Sequence, residues 1–153
     1  MASRHFFRVS EAVALALHST AIMAEYNDGS LMSNKELAEM QKASRNHLSK
    51  VLQRLVHIGI VSSTRGPGGG FKLAKKPKDI CLLDIYEAIE GPMNAAGCLF
   101  EQRVCEGPSC ILGDFITDLE KQTIGYLKKT NMKTVLKTFH MERPKKKAAK
   151  KKR

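Results

Sequence analysis

The sequence predicts a winged helix-turn-helix, mainly α with one small β-hairpin, followed by a long C-terminal dimerisation helix. Three observations carry this. Two serine N-caps, Ser33 and Ser44, open two helical runs separated by a short turn. A glycine-rich loop, Gly66–Gly70, joins two short strand-like runs directly after them. Leu112–Lys129 then reads as one long amphipathic helix.

The elements follow in order. Ser10 caps a helix running to Glu25, with Val13, Leu17 and Ala21 on one face and Ala14 and Ala24 beside them. Tyr26–Met32 has turn chemistry. Ser33-Asn-Lys-Glu36 is a capping box, in which the Ser33 oxygen takes the Glu36 N–H and the Glu36 side chain reaches back. Leu37, Ala38 and Met40 form the apolar side of the short helix that follows. Gln41-Lys42-Ala43 has the length of a helix-turn-helix turn. The second helix, Arg45–Ile58, carries Leu48, Val51, Leu52 and Leu55 at helical spacing and stops at Gly59. Ile60–Arg65 and Phe71–Ala74 are the strands of the hairpin, and Ile80–Leu82 a further short extended run. Leu83–Glu90 is helical, and Gly91-Pro92 ends it. Met93–Cys110 shows no periodicity. The stripe Leu112, Ile116, Leu119, Thr123, Tyr126 and Leu127 is too long for so small a body to cover, so two copies are expected to bury it against each other as a two-fold homodimer.

The organisation expected is a DNA-binding domain over 1–91, a cysteine loop over 92–111, a dimerisation helix over 112–135, and a basic tail over 136–153. Composition supports one domain with an arm: 153 residues, 42% hydrophobic and 27% charged. Of the net charge of +11, most sits in Arg143–Arg153, which holds eight basic residues and no acid; residues 1–142 have 18 basic against 15 acidic groups. Such a like-charged block is expected to stay solvated and disordered, and to attract nucleic acid without sequence preference. The most apolar stretch, Ala12–Ala24, is too short for a membrane span and is broken by His18, Ser19 and Thr20. No cleavage signal follows it, so a cytoplasmic protein with reduced thiols is expected, and no membrane partner.

The candidate nucleic-acid contacts cluster in two places. Ser44, Arg45, Asn46 and His47 form the opening turn of the second helix, with Lys50 and Arg54 one and two turns on. In a helix-turn-helix this turn enters the major groove, where Arg pairs with guanine and Asn with adenine; Ser44 and Lys50 suit phosphates. Ser33 stands at the start of the first helix, also suited to a phosphate. At the hairpin, Gly66, Gly68 and Gly69 permit a tight loop between Arg65 and Lys72, a cationic wing. The loop is not a dinucleotide fingerprint, because the third glycine position falls on Phe71 and no helix follows.

Cys98-x6-Cys105-x4-Cys110 contains no C-x2-C pair, which disfavours a zinc ribbon and a dithiol oxidoreductase alike. Three thiols in a loop with Gly97, Gly107 and Pro108 suit an iron–sulfur cluster, with structural thiols or a thiol switch as the alternatives. Cys81 sits in an apolar run and reads as a small hydrophobe. No Cys/His/Asp arrangement for nucleophilic catalysis is present, so an enzyme is not expected.

Ser44-Arg-Asn-His-Leu48, Gly59-Ile-Val61, Arg65-Gly-Pro-Gly-Gly-Gly-Phe71 and the three-cysteine loop together resemble the bacterial winged-helix iron–sulfur regulators of the IscR/NsrR family, from about Glu11 to Val135. The resemblance implies a homodimeric transcriptional regulator that binds double-stranded DNA at a pseudo-palindromic operator. It implies a [2Fe–2S] or [4Fe–4S] cluster on Cys98, Cys105 and Cys110 whose state alters DNA affinity in response to nitric oxide, redox stress or iron–sulfur status. IscR-like members place a histidine three residues after the last cysteine, where this chain has Gly113. NsrR-like members use a carboxylate from the partner's first helix, a place matched by Glu11. The resemblance is therefore closer to the NsrR-like branch.

Overall fold

The computed structural model describes residues 7–93, 100, 102, 104–108 and 110–144. The element order is α1 (Glu11–Glu25), α2 (Asn34–Gln41), α3 (Arg45–His57), β1 (Val61–Thr64), β2 (Gly70–Leu73), a 3-10 turn (Pro77–Asp79), α4 (Leu82–Glu90), α5 (Phe115–Lys129) and α6 (Met132–Val135). This is the winged helix-turn-helix read from the sequence.

Helix α1 is the centre of the body rather than an amphipathic flank. Val13, Leu15, Ala16 and the whole run Ser19–Ala24 are buried, whereas Leu17 and Ala14 of the expected face are only half-buried. The reason is that α2, α3, α4, α6 and β2 all pack around it. A helix enclosed on most sides does not show one apolar stripe. The two polar side chains in this run are satisfied locally: Thr20 Oγ1 donates to Ala16 O at 2.8 Å, and Ser19 Oγ accepts from Gln41 Nε2 at 2.8 Å. Leu37 of α2 and Leu48, Leu52 and Leu55 of α3 are fully buried against it, together with Ile60, Ile80 and Ile85.

Helices α2 and α3 each start where the cap predicts. Ser33 Oγ accepts from Glu36 N at 3.1 Å, and Ser44 Oγ from His47 N at 3.5 Å. The turn between α2 and α3 is closed by Lys42 in the left-handed region, with φ of 52°. The hairpin pairs antiparallel in the register Val61↔Leu73 through Thr64↔Gly70. It is anchored to the helices by a two-way bridge between Met32 and Phe71, whose N–H···O contacts are 2.9 and 2.8 Å. Gly70 is needed there: a Cβ at this position would lie 2.6 Å from the Met32 carbonyl oxygen. Gly70→Ala is therefore expected to break the bridge and destabilise the protein by about 2–3 kcal/mol, at the upper end for overpacking. A urea denaturation midpoint unchanged from wild type would refute this.

Three boundaries differ from the sequence expectation. Ile80 and Cys81 are extended as expected and make an isolated bridge, Cys81↔Asn131, but the run ends a residue early because α4 begins at Leu82 rather than Leu83. Helix α5 starts at Phe115 rather than Leu112, because Gly113 turns left-handed at φ of 56° and its N–H closes on the Cys110 carbonyl at 2.9 Å. Helix α6, capped by Asn131 through Thr134 N, was not expected as a separate element.

The largest departure is the basic tail expected from residue 136. Through Pro144 it is no solvated arm. Phe139 and Met141 pack on the core, and Phe139 meets the His18 ring edge-on at 6.1 Å. Tyr26 Oη donates to Met141 O at 2.6 Å and accepts from Arg143 N at 2.9 Å. The Glu25 carboxylate accepts from Met141 N at 3.1 Å and also takes the His140 ring. Arg143 then grips α2: its Nε reaches Glu36 Oε1 at 2.6 Å, its Nη2 reaches Oε2 at 3.4 Å, and its Nη1 reaches Ser30 Oγ at 3.2 Å. The Glu36 side chain, expected to close the capping box, is thus engaged by Arg143. Its carboxylate raises the affinity of the guanidinium for its proton still further. Residues 145–153 of the expected tail lie outside the described residues.

Candidate nucleic-acid interface and cysteine loop

The first turn of α3 presents Ser44, Arg45 and Asn46 to solvent, with Lys50 exposed one turn on. Leu48, Val51, Leu52 and Leu55 face inward, so the polar tip stands on a rigid apolar base. The Arg45 carbonyl accepts from Asn34 Nδ2 at 3.1 Å, which ties the start of α2 to the start of α3. Asn34 is a positioning residue that the sequence did not single out. Its partner lies across the turn, and an Asn just after a cap has an ordinary local reading as helix.

Ser33 is exposed beside Asn34, and although its oxygen accepts the cap bond, its hydroxyl proton is free to donate. Across the Met32–Phe71 bridge lies the wing. Arg65, Gly66, Gly68 and Lys72 line it: Arg65, Gly66 and Gly68 are exposed, and Gly69 is half-buried. Gly66 and Gly68 adopt φ of 96° and 74°. At Gly69 a Cβ would fall 2.2 Å from the Thr64 carbonyl oxygen, so the loop tolerates no side chain there. The tip of α3 and the hairpin are thus both tied to the start of α2, the one through Asn34 and the other through Met32.

Two of the candidate contacts also have partners within the body. Arg54 Nη1 donates to the Ile89 carbonyl at 2.7 Å, which ties α3 to the last turn of α4, while the residue itself stays exposed. His47 is half-buried and its Nδ1 lies 3.8 Å from Glu11 Oε2. Glu11 itself is strongly exposed, with 74% of its side chain accessible. It stands at the start of α1, where Ser10 caps the helix and hydrogen-bonds Glu90 of α4.

Of the loop cysteines, Cys98 lies outside the described residues. Cys105 is exposed and Cys110 half-buried, both as free thiols. Among the described residues no three Cys, His, Asp or Glu side chains converge on a metal position. The donor chemistry nevertheless fits an iron–sulfur group: accessible, unpaired thiols in a turn-rich segment, with Glu11 open to a second chain. Cys81 differs. It is half-buried at the start of α4, and burial pushes its thiol pKa up, away from the thiolate that iron prefers. Around Cys105 and Cys110 the surface is unusually apolar. Phe100, Val104, Ile111, Leu112 and Phe115 are all exposed, Ile111 to 85%. The expected stripe divides: Ile116 and Leu127 pack inward, Leu119 and Thr123 are half-buried, and Leu112 and Tyr126 face solvent, as does Phe115 outside the stripe.

A helix-turn-helix with a glycine-tipped wing and an exposed Arg-Asn tip defines a DNA-binding regulator of transcription. Residues 9–138 match the Rrf2 family, described as "Iron-dependent Transcriptional regulator", and the chain belongs to that family. It is 33% identical over 131 residues to a protein of Aquifex aeolicus named as an HTH-type transcriptional regulator, covering 83% of this chain and 90% of that one. It is 35% identical over 83 residues to the HTH-type transcriptional regulator NsrR of Bacillus subtilis, covering 54% of this chain and 57% of that one. Among solved structures, CymR, the global cysteine regulator of B. subtilis, superposes with a TM-score of 0.75 at 21% identity, over 88% of this chain and 99% of that one. The T. potens IscR superposes at 0.68 and 22% identity, over 86% and 87%. These two likenesses establish the winged-helix fold. Among the described residues no helix is long and apolar enough to cross a membrane.

Proposed function

We propose that this chain is a homodimeric, cytoplasmic transcriptional repressor whose affinity for a pseudo-palindromic operator is gated by an iron–sulfur cluster, [2Fe–2S] or [4Fe–4S]. Cys98, Cys105 and Cys110 would hold it, with Glu11 of the partner subunit as the remaining ligand. Bound there, the cluster supplies a centre reactive toward nitric oxide and oxidants. It acts as a sensor and not as a catalyst. Arg45 and Asn46 read bases, Ser33, Ser44 and Lys50 hold phosphates, and the wing from Arg65 to Lys72 follows the adjacent groove.

The observation that carries this reading is the contact between Glu11 and His47. The proposed fourth ligand lies against the first turn of the proposed reading helix. Whatever holds the Glu11 carboxylate therefore acts directly on the tip of α3, without a long relay. Anaerobic purification followed by a visible spectrum, with operator binding measured before and after nitric oxide, tests it. A brown protein whose DNA affinity changes on bleaching supports it. A colourless protein that binds the same DNA overturns the gating and leaves a thiol-controlled regulator, for which exposed Cys105 is the candidate.

The dimer has its own test. Phe115 and Tyr126 lie three turns apart on the outer side of α5 and are 61% and 65% exposed in the single chain. Burying aromatics of this kind is what anchors an interface. Phe115→Asp is expected to weaken the dimer by about 2 kcal/mol or more for each protomer's contribution. Sedimentation of the wild type as a monomer at micromolar concentration would refute the assembly.

A further inference from the structure

The strap from Phe139 to Pro144 is rooted on one helix and grips another. Burial alternates along it: Met141 and Arg143 are half-buried, while His140, Glu142 and Pro144 are exposed. The root is the C-terminal end of α1. Met141 N donates to Glu25 at 3.1 Å, Arg143 N donates to Tyr26 Oη at 2.9 Å, and the Arg143 guanidinium lies over the Tyr26 ring, 5.7 Å from its centroid. From there the guanidinium reaches Glu36 of α2 with two prongs and Ser30 with a further N–H. The Arg143 and Glu36 side chains are only 19% and 15% exposed, against 63% and 57% for the Lys35–Glu39 pair of the same helix. An exposed pair holds little, whereas a sheltered arginine fork fixes the orientation of its carboxylate. Around it, Asp28 accepts from Ser30 N at 2.8 Å and Glu142 is exposed; among the described residues neither bonds the guanidinium.

The fork acts where α2 is otherwise least attached. Only Leu37 and Ala38 of this helix are buried, and Gln41 Nε2 bonds Ser19, all beyond the opening residues Asn34–Glu36. Those opening residues carry what the recognition of DNA needs. Exposed Ser33 caps them, and Asn34 Nδ2 holds the Arg45 carbonyl at the tip of α3, 3.1 Å away. Asn34 has no second grip, because its Oδ1 is buried without a partner among the described residues. Two residues apart on a helix, Asn34 and Glu36 point to nearly opposite sides. The first turn of α2 is thus pinned to α3 on one side and, through Arg143, to α1 on the other. Met32 fixes where the chain enters this turn, by its bridge to Phe71, but leaves open how the turn is rotated about its axis.

We infer that Arg143 is a positioning residue for DNA recognition: by holding Glu36 it sets the first turn of α2, and through Asn34 the tip of α3, and so governs how sharply the protein separates its operator from other DNA without touching DNA itself. The inference rests on the DNA-binding reading above and adds to it a residue outside the winged helix. A two-pronged contact to a base edge needs a fixed approach, whereas contacts to phosphate carry no sequence information and tolerate a shifted one. Loosening the turn therefore costs selectivity before it costs general attraction.

Three proteins test it: the wild type, Arg143→Lys, which keeps the charge and loses the fork, and the double variant Arg143→Ala, Glu36→Gln, which removes both charges and leaves none uncompensated. Thermal unfolding fixes a temperature at which all three are folded. Affinity is then measured across a range of salt for a duplex that the wild type selects from random sequence and for a scrambled duplex of the same length. The ratio of the two affinities should fall about 2- to 30-fold in the double variant, and should fall in Arg143→Lys as well. The slope of log affinity against log salt should change by less than the about 0.9 that losing one phosphate contact would cause. A ratio unchanged in the double variant means that the strap only stabilises the fold, and overturns the inference. Arg143→Lys as selective as the wild type overturns it in favour of simple masking of the Glu36 charge. A slope lower by about 0.9 in the double variant overturns it in favour of Arg143 holding a phosphate itself. A wild type that selects no site overturns the underlying DNA-binding reading, and this inference with it.

Discussion

Replacing Cys98, Cys105 or Cys110 singly with alanine is expected to yield colourless protein after anaerobic purification, and Cys81→Ala to yield coloured protein. The contrast is physical. Cys105 and Cys110 are accessible thiols in a segment whose backbone follows no regular element. Cys81 is locked into a bridge with Asn131, and desolvation holds its proton on. Iron binds thiolate, so losing one of three thiolates removes most of the affinity, whereas losing a protonated, half-buried thiol costs only packing. Glu11→Ala should keep the colour but shift the spectrum and speed the reaction with nitric oxide or oxygen, because a carboxylate is the weakest ligand of the set. A Cys105→Ala protein as coloured as wild type would refute the ligand assignment. A Glu11→Ala protein identical in spectrum and reactivity would remove Glu11 from it.

Arg45→Ala and Asn46→Ala are expected to cost about 1–3 kcal/mol each in operator affinity and to relax base preference at their own positions. Arg65→Ala should weaken binding evenly across sequences and reduce the salt slope by about one. The difference follows from placement. Arg45 and Asn46 project from the first turn of a helix seated on four buried apolar residues, and the Arg45 carbonyl is held by Asn34. Arg65 sits at the edge of a glycine loop, where a side chain can follow a phosphate but not hold a two-pronged geometry on a base. Competition with duplexes substituted one base pair at a time separates the two behaviours. Unchanged affinity in both tip variants would mean that α3 is not the reading helix.

The parts of this protein legible in its sequence are those fixed by neighbours along the chain. Ser33 and Ser44 located the starts of α2 and α3 because a cap bond spans only three residues. Gly59 and the glycines of the wing marked stops and turns for the same reason. The buried face of α3 followed from its spacing. Features fixed by distant partners were not legible. Nothing near Arg143 announces Glu36, 107 residues away, and within a basic run Arg143 reads as one more solvated charge. The Arg54–Ile89 bond likewise joins residues 35 apart, and nothing local to Arg54 announces it. The encirclement of α1 erased the stripe that spacing alone assigns to an isolated helix. For the site, the tip and wing emerged from local pattern, while Asn34 and the Glu11–His47 contact appear only when three helices are assembled.

The bridge between Cys81 and Asn131 has a consequence for how such a protein diversifies. With Leu82 N–H on the Thr130 carbonyl at 2.9 Å and Met132 N–H on the Ile80 carbonyl at 2.9 Å, the chain entering α4 and the chain leaving α5 are held together at one point. Helix α4 belongs to the body, packed on α1, so the excursion is the cysteine loop between the end of α4 and α5, whose flanking helices are stitched together. Because closure entropy rises only slowly with loop length, insertions within the excursion cost the body little. The sequence of that loop can therefore change while the helices and hairpin of the body keep their own core. The stitch lets one segment vary without loosening the rest.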